Sequence, residues 1–190
     1  MSTLEVNKIT PVGVGTSVTL GDSGDTFTIP SGVTLTNNGT VTGIGGVNTP
    51  AFRAQLSSSQ TITDATYTKV QFDTENFDTD GCYDNSTNYR FTPTVAGKYF
   101  VYAAVECYGG GTNSVEEVNP AIRKNGSNVT RSSFSQIGGG FHVIASYFSA
   151  TLEMNGSTDY VEVFAYCDSS GTPSIEADGR TYFGAYKIIE

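Results

Sequence analysis

The chain has 190 residues, enough for one sizeable domain with an appendage and a buried core. Gly (22 residues), Thr, Ser and Val abound, aromatics reach 12% as Tyr and Phe, and no stretch is convincingly amphipathic at helical spacing, so the chain reads as all-β. With 10 basic against 19 acidic residues, net −9, it lacks the basic footprint of a nucleic-acid binder, and no apolar run nears the ~18 residues of a membrane span.

The opening MSTLEVNKITPV carries no signal-peptide core, so a soluble protein made in a cytoplasm is expected. Residues 1–48 are short pieces cut by Gly, Pro and Asn. Val18-Thr19-Leu20, Phe27-Thr28-Ile29, Val33-Thr34-Leu35 and Thr40-Val41-Thr42 alternate strictly, each closed by a turn signal. No such piece can bury a core of its own. Regular spacing of Leu20, Ile29, Leu35 and Val41 predicts a short-stranded β stalk that winds with identical chains, a flexible Gly/Thr linker being the alternative.

Gly45 to Pro50, GGVNTP, is a hinge in composition, and residues 49–190 form the head. Strands are predicted near 51–56, 68–73, 89–94, 97–108, 118–124, 128–135, 141–154, 159–168 and 180–189. Asn125-Gly126 is a strong hairpin signal between two of them. That many strands at this spacing indicate a double-sheet sandwich of jelly-roll size. Strand 97–108 is apolar on both faces: Tyr99, Val101, Ala103, Val105 and Cys107 on one, Phe100, Tyr102, Ala104 and Tyr108 on the other, with only Glu106 polar. Strand 141–154 is two-sided as well, with Ile144, Phe148, Ala150, Leu152 and Met154 on one face and Phe141, Val143, Ala145 and Tyr147 on the other. A sandwich alone would give one face to water, so the second face needs a cover.

Residues 51–190 resemble the globular head domain of complement component 1q, a branch of the tumour necrosis factor-like jelly rolls. The resemblance rests on AFRAQLSSSQT at 51–61 and on KVQFDTENFDTDGCYDNSTNYRFTPTVAGKYFVYAAVE at 69–106. In the second stretch Phe72-Asp73, Asn76, Tyr83-Asp84, Phe91-Thr92, Gly97, Tyr99 and Tyr102 stand at matching positions. AIRKNGSNV at 121–129 and TYFGAYKII at 181–189, with Gly184, extend it. The family's collagen-like stalk is missing, since Gly never recurs at every third position. The leader instead resembles those of tail-fibre proteins of marine bacteriophages, in strings such as TLGDSGDTFTIPSG. The first resemblance implies a homotrimer in which one sheet of each copy packs against its neighbours around a threefold axis. It makes Phe100, Tyr102, Phe148 and Leu152 the trimer-interface candidates.

Few residues suggest chemistry. The lone His142 could be placed beside Ser146 or Asp159, but no nucleophile motif accompanies it, and an enzyme is not expected. Three cysteines, Cys82, Cys107 and Cys167, match neither a disulfide framework nor a zinc spacing. They read as reduced thiols, with a Cys107–Cys167 bridge as the alternative. No cofactor is expected apart from calcium: the acidic run DTENFDTDGCYD offers Asp78, Asp80 and Asp84 as candidate ligands, and related trimeric heads sometimes bind calcium near the threefold axis. The N-x-[ST] sites at Asn38, Asn85, Asn125, Asn128 and Asn155 read as Asn-rich turns. Gly-rich loops around 106–117 and 138–142 form an adaptable end of the jelly roll, with Tyr108, Asn113 and Tyr166 as receptor-contact candidates.

Together these point to a virion structural protein of a bacteriophage, made in the host cytoplasm. It would be a trimeric tail fibre or spike that attaches through residues 1–48 to other virion proteins and binds a host surface glycan or protein through its head. A capsid decoration or head-fibre protein is the alternative, and a bacterial adhesive head a more distant one.

Overall fold

The computed structural model describes residues 19, 22–38, 48–112, 114–136 and 140–188. The chain separates into two units, Met1–Ile44 and Gly45–Glu190.

In the first unit, residues 22–38 hold turns at Ser23-Gly24 and Ser31-Gly32 and no strand. Backbone bonds from Asp25 to Asp22 (3.0 Å) and from Val33 to Pro30 (3.2 Å) close those turns. Both turns fall where Gly was read as punctuation. The segments expected as strands at Phe27–Ile29 and Val33–Leu35 form no strand among the described residues, and Phe27, Ile29, Val33 and Leu35 are exposed. Val18–Leu20 and Thr40–Thr42 lie outside the described residues, Thr19 excepted.

The head is all strand and loop. Its elements are β1 (Ala51–Gln55), β2 (Gln60–Thr61), β3 (Thr68–Lys69), β4 (Thr74–Asp78), β5 (Tyr83–Asp84), β6 (Arg90–Phe91), β7 (Gly97–Tyr108) and β8 (Val115–Val118). They continue with β9 (Ala121–Lys124), β10 (Ser127–Arg131), β11 (Phe134–Ser135), β12 (Val143–Met154), β13 (Val161–Ala165), β14 (Cys167–Ser169), β15 (Ser174–Ile175) and β16 (Tyr182–Lys187). The first sheet runs β2-β15-β7-β16-β1-β4, and β12 pairs along the opposite edge of β7. The second runs β10-β9-β13-β6-β5 with β3 also on β13, and a small third sheet joins β11, β8 and β14.

Between the sheets lies an aromatic core. Phe52 stacks on Tyr83 at 4.5 Å and on Phe91 at 4.6 Å, and meets the edge of Phe183 at 4.9 Å. Each strand end that supplies a ring is thereby pinned to both sheets, since offset and edge-on ring pairs add to the stabilisation from buried area. The Asn125-Gly126 turn joins β9 to β10 with both residues at positive φ, 51° and 80°, as a tight hairpin turn of the mirror-image type requires.

Two expected boundaries shift for identifiable reasons. The strand expected at 118–124 divides at Asn119-Pro120 into β8 and β9, which lie in different sheets. Pro120 has no N–H to continue a ladder, and the Asn119 N–H turns to the Tyr166 carbonyl at 2.9 Å. The acidic stretch after Asp73, read as a loop, contains β4, which pairs with β1 through a bulge between Arg53 and Ala54.

Candidate functional site

The outer face of the first sheet concentrates the exposed aromatic surface of the head. Even-numbered residues of β7 point there, and the β16 register sets Tyr182 opposite Ala104, Gly184 opposite Tyr102 and Tyr186 opposite Phe100. On the other side of β7, Tyr147 of β12 stands opposite Ala104. Phe100 lies 6.1 Å from Tyr102 and 5.6 Å from Tyr186, and Tyr102 lies 6.1 Å from Tyr182. Tyr147 is 62% exposed and Tyr186 38%. A shallow depression of about 280 Å³ opens among Phe100, Tyr102, Tyr147, Phe148 and Tyr182. Arg53 closes the β1 side, its guanidinium 4.7 Å from the Tyr182 ring and its Nη1 donating to Asn76 Oδ1 at 3.2 Å.

Gly184 makes this packing feasible. A Cβ there would stand 2.4 Å from the Tyr102 hydroxyl oxygen and 2.9 Å from the Phe52 carbonyl, so the Tyr102 ring occupies the space a side chain would fill. Burial pushes the Tyr102 hydroxyl up, and the neighbouring Tyr182 and Tyr186 add to this against the pull of Arg53.

The β7 face ends in a polar cluster. Glu106 is only 2% exposed, its Oε2 is 2.8 Å from Arg180 Nη1, and its N–H donates to Thr181 Oγ1 at 3.1 Å. Burial first, and then the hydrogen bond and charge of Asp178, push its carboxyl up to about 7, with Arg180 opposing. Arg180 also pairs with Asp178. Of these acids and bases the sequence marked only Glu106, as the one polar residue between Tyr99 and Tyr108. Tyr182 and Tyr186 were not singled out either, although the alternation of TYFGAYK places Tyr182, Gly184 and Tyr186 on one face.

Of the residues expected at a trimer interface, Phe100 and Tyr102 lie on this outer face, half-buried. Leu152 does not, and its assignment is corrected. It stands opposite Tyr99, whose side chain faces the core, and is 8% exposed within the core cluster. Phe148, opposite Ala103, likewise packs against the core but borders the depression at the sheet edge. Ser149, Thr151 and Glu153 on the opposite face of β12 are the sequence signal that the Leu152 face is the inward one.

Among the receptor-contact candidates, Tyr108 is half-buried and meets the edge of His142 at 4.9 Å. The His142 Nδ1 lies 3.1 Å from the Gly111 carbonyl oxygen, tying the two Gly-rich loops together. Tyr166 sits apart on the second sheet's side, 5.3 Å from Tyr67. Asn113 lies outside the described residues.

Within one chain Asp78, Asp80 and Asp84 do not converge: among the described residues no group of three His, Cys, Asp or Glu side chains could hold an ion. Each carboxylate is engaged locally instead. Asp78 accepts from the Tyr83 N–H at 2.7 Å and Asp80 from the Thr79 hydroxyl at 2.5 Å. Asp84 accepts from the backbone of Ser86, Thr87 and Asn88, which holds its carboxyl far below the usual range. Nor is a triad assembled around His142, since Asp159 is taken by Lys124 and Asn125. All three cysteines are buried and free. The Cys107 thiol, hydrogen-bonded to that of Cys167 and buried, is pushed well up.

These sheets, their order and the inward rings define the head as a jelly roll of the complement 1q and TNF type. It is similar to the globular domain of zebrafish complement 1qA protein, at 16% identity and a TM-score of 0.50, covering 73% of this chain and 97% of that one. It is also similar to murine APRIL (13% identity, TM-score 0.53, 73% and 98% covered) and to Eiger TNF from S. frugiperda (10%, 0.52, 73% and 90%). At these identities the likeness establishes the fold. No protein-family model matches the chain, and no curated protein matches it in sequence.

Proposed function

We propose that the head is a homotrimeric, non-enzymatic receptor-binding domain, carried on a bacteriophage fibre or spike that attaches to its particle through residues 1–48. The observation that carries the trimer is the unpartnered aromatic face of Phe100, Tyr102, Tyr147, Tyr182 and Tyr186. Monomers seldom leave so contiguous an apolar surface to water, and three copies closing around an axis would cover it. The resemblance of the leader to phage tail-fibre proteins supports the virion setting.

With the first sheet turned inward, the loop ends are left to meet a partner. Tyr108 and Tyr166 are the aromatic anchors there, and three identical weak sites on one rigid head would multiply affinity by avidity. The test is binding of the purified protein to host cells. Tyr108→Ala is expected to weaken it by more than about tenfold, since truncating an aromatic anchor commonly costs ~2 kcal/mol, while the trimer persists. Loss of the trimer in Tyr108→Ala would instead place that ring in the interface. Locating the protein on intact particles separates a tail fibre from a head fibre.

A further inference from the structure

We infer that the outer face of the second sheet is a binding platform for a carboxylated polysaccharide, centred on Arg123. In a chain with 10 basic and 19 acidic residues, the basic ones are not spread evenly. The register places Lys69, Arg90, Arg123 and Arg131 on this one face, against the carboxylates of Glu162 and Asp84. Those two carboxylates are already committed. Glu162, buried, pairs with Lys69, and Asp84 is held by the N–H groups of its own turn. Arg90, Arg123 and Arg131 have no carboxylate partner among the described residues.

Arg123 is the one whose geometry is set for a ligand. Its guanidinium lies 3.9 Å from the Phe164 ring centroid and 5.1 Å from that of Tyr67. Its Nε donates to Asn128 Oδ1 at 2.8 Å, while Nη1 and Nη2 meet no acceptor among the described residues. The fork is therefore oriented by two rings and one amide, with its two outer donors unused. A planar carboxylate accepts such a pair of N–H groups side by side. Beside the stacked Arg123–Phe164 pair, the half-buried rings of Tyr67 and Tyr166, 5.3 Å apart, continue the surface. Flat apolar rings beside a small number of placed polar groups suit the C–H faces of a sugar chain.

The net charge of the chain does not oppose this. At 0.1 M salt the Debye length is about 10 Å, so a bound carboxylate senses the nearby guanidinium groups far more than distant acids. One local feature argues for a sparsely charged chain over a polysulfate. Just past Tyr166, Asp168 stands opposite Glu117 across β14 and β8, and the Asp64 carboxylate accepts from the Ser169 N–H at 2.8 Å, so three acids gather on the strand that follows that ring. A polymer carrying several charges per sugar would be repelled there. One carboxylate per residue can be seated at Arg123 with its rings toward Tyr166.

This deepens the receptor-binding reading by naming a ligand class, but the site lies within one chain and is tested without cells. The full-length protein is passed over immobilised alginate in EDTA, with neutral dextran and dextran sulfate in parallel. Retention on alginate at low salt is expected, with elution by about 0.5 M NaCl, where screening is several-fold shorter-ranged than at low salt. Arg123→Gln is expected to weaken retention roughly tenfold, the loss of one charge-assisted bond pair. Arg123→Lys, which keeps the stem packing and the charge but not the fork, is expected to weaken it as well, with sedimentation unchanged for both. Equal retention of both variants, equal retention on neutral dextran, or stronger Arg123-dependent retention on dextran sulfate would each overturn the assignment. None of those results bears on the trimer, and cell binding remains a separate readout for the receptor reading.

Discussion

A Cβ at Gly184 would stand 2.4 Å from the Tyr102 hydroxyl and 2.9 Å from the Phe52 carbonyl, so one hydrogen atom's worth of space sets the aromatic face. The Tyr102 tip can swing away, but the backbone oxygen cannot. Gly184→Ala is expected to cost about 1–3 kcal/mol by overpacking and to displace Tyr102. Thermal melting and sedimentation should then report a lowered Tm together with a weakened trimer. Glu106 makes a pH-dependent contribution of definite sign. Its carboxyl is raised from 4.5 to about 7 in the folded chain, so the folded state holds a proton that the unfolded state has released. Stability is therefore expected to fall as pH rises from about 4.5 to about 7 and to be flat in this respect above that. Glu106→Gln should remove the slope in melts between pH 5 and pH 8, and an unchanged slope would assign it elsewhere. Asp84, with its carboxyl lowered, acts in the opposite sense and only below its ordinary value of 3.8, so the two windows do not overlap.

At the scale of elements, length decided what was legible from sequence. β7 and β12 were readable because twelve-residue runs rich in Val, Tyr, Phe and Ala, bounded by turn signals, show no helical spacing. Two-residue strands such as β2, β5 and β15 have no pattern to show; β15 forms on the edge of the long β7, and β2 and β5 each pair with another two-residue strand. β4 was hidden by its acids, which an edge strand facing water tolerates. In β12 the polar Ser149, Thr151 and Glu153 on one face point to the other as inward, and the register against β7, with Leu152 opposite Tyr99, agrees. Two substitutions on opposite faces of β12 should then behave differently. Leu152→Ala is expected to cost about 2–5 kcal/mol, as large-to-small core changes do. Tyr147→Ser, on the exposed face, should leave the fold's own stability nearly unchanged and raise the trimer's dissociation constant. Chemical denaturation of the separated species, beside sedimentation of the assembled ones, distinguishes the two effects.

For the whole molecule, the sandwich and the surplus apolar face were both readable from sequence, whereas the Glu106–Asp178–Arg180 cluster and the Arg123 platform were not. Those assemblies join residues distant in the chain, such as Tyr67, Arg123 and Phe164, and only sheet pairing brings them together. The trimer proposal assigns opposite roles to the two outer sheet faces. The first, aromatic and shallowly hollowed, turns toward its copies, while the second, basic and ringed, stays open to a partner. Sedimentation equilibrium of the full-length protein at micromolar concentration tests this division most directly. A single species of three chains is expected, weakened by Tyr147→Ser and indifferent to Arg123→Gln; a stable, folded monomer across that range would contradict it.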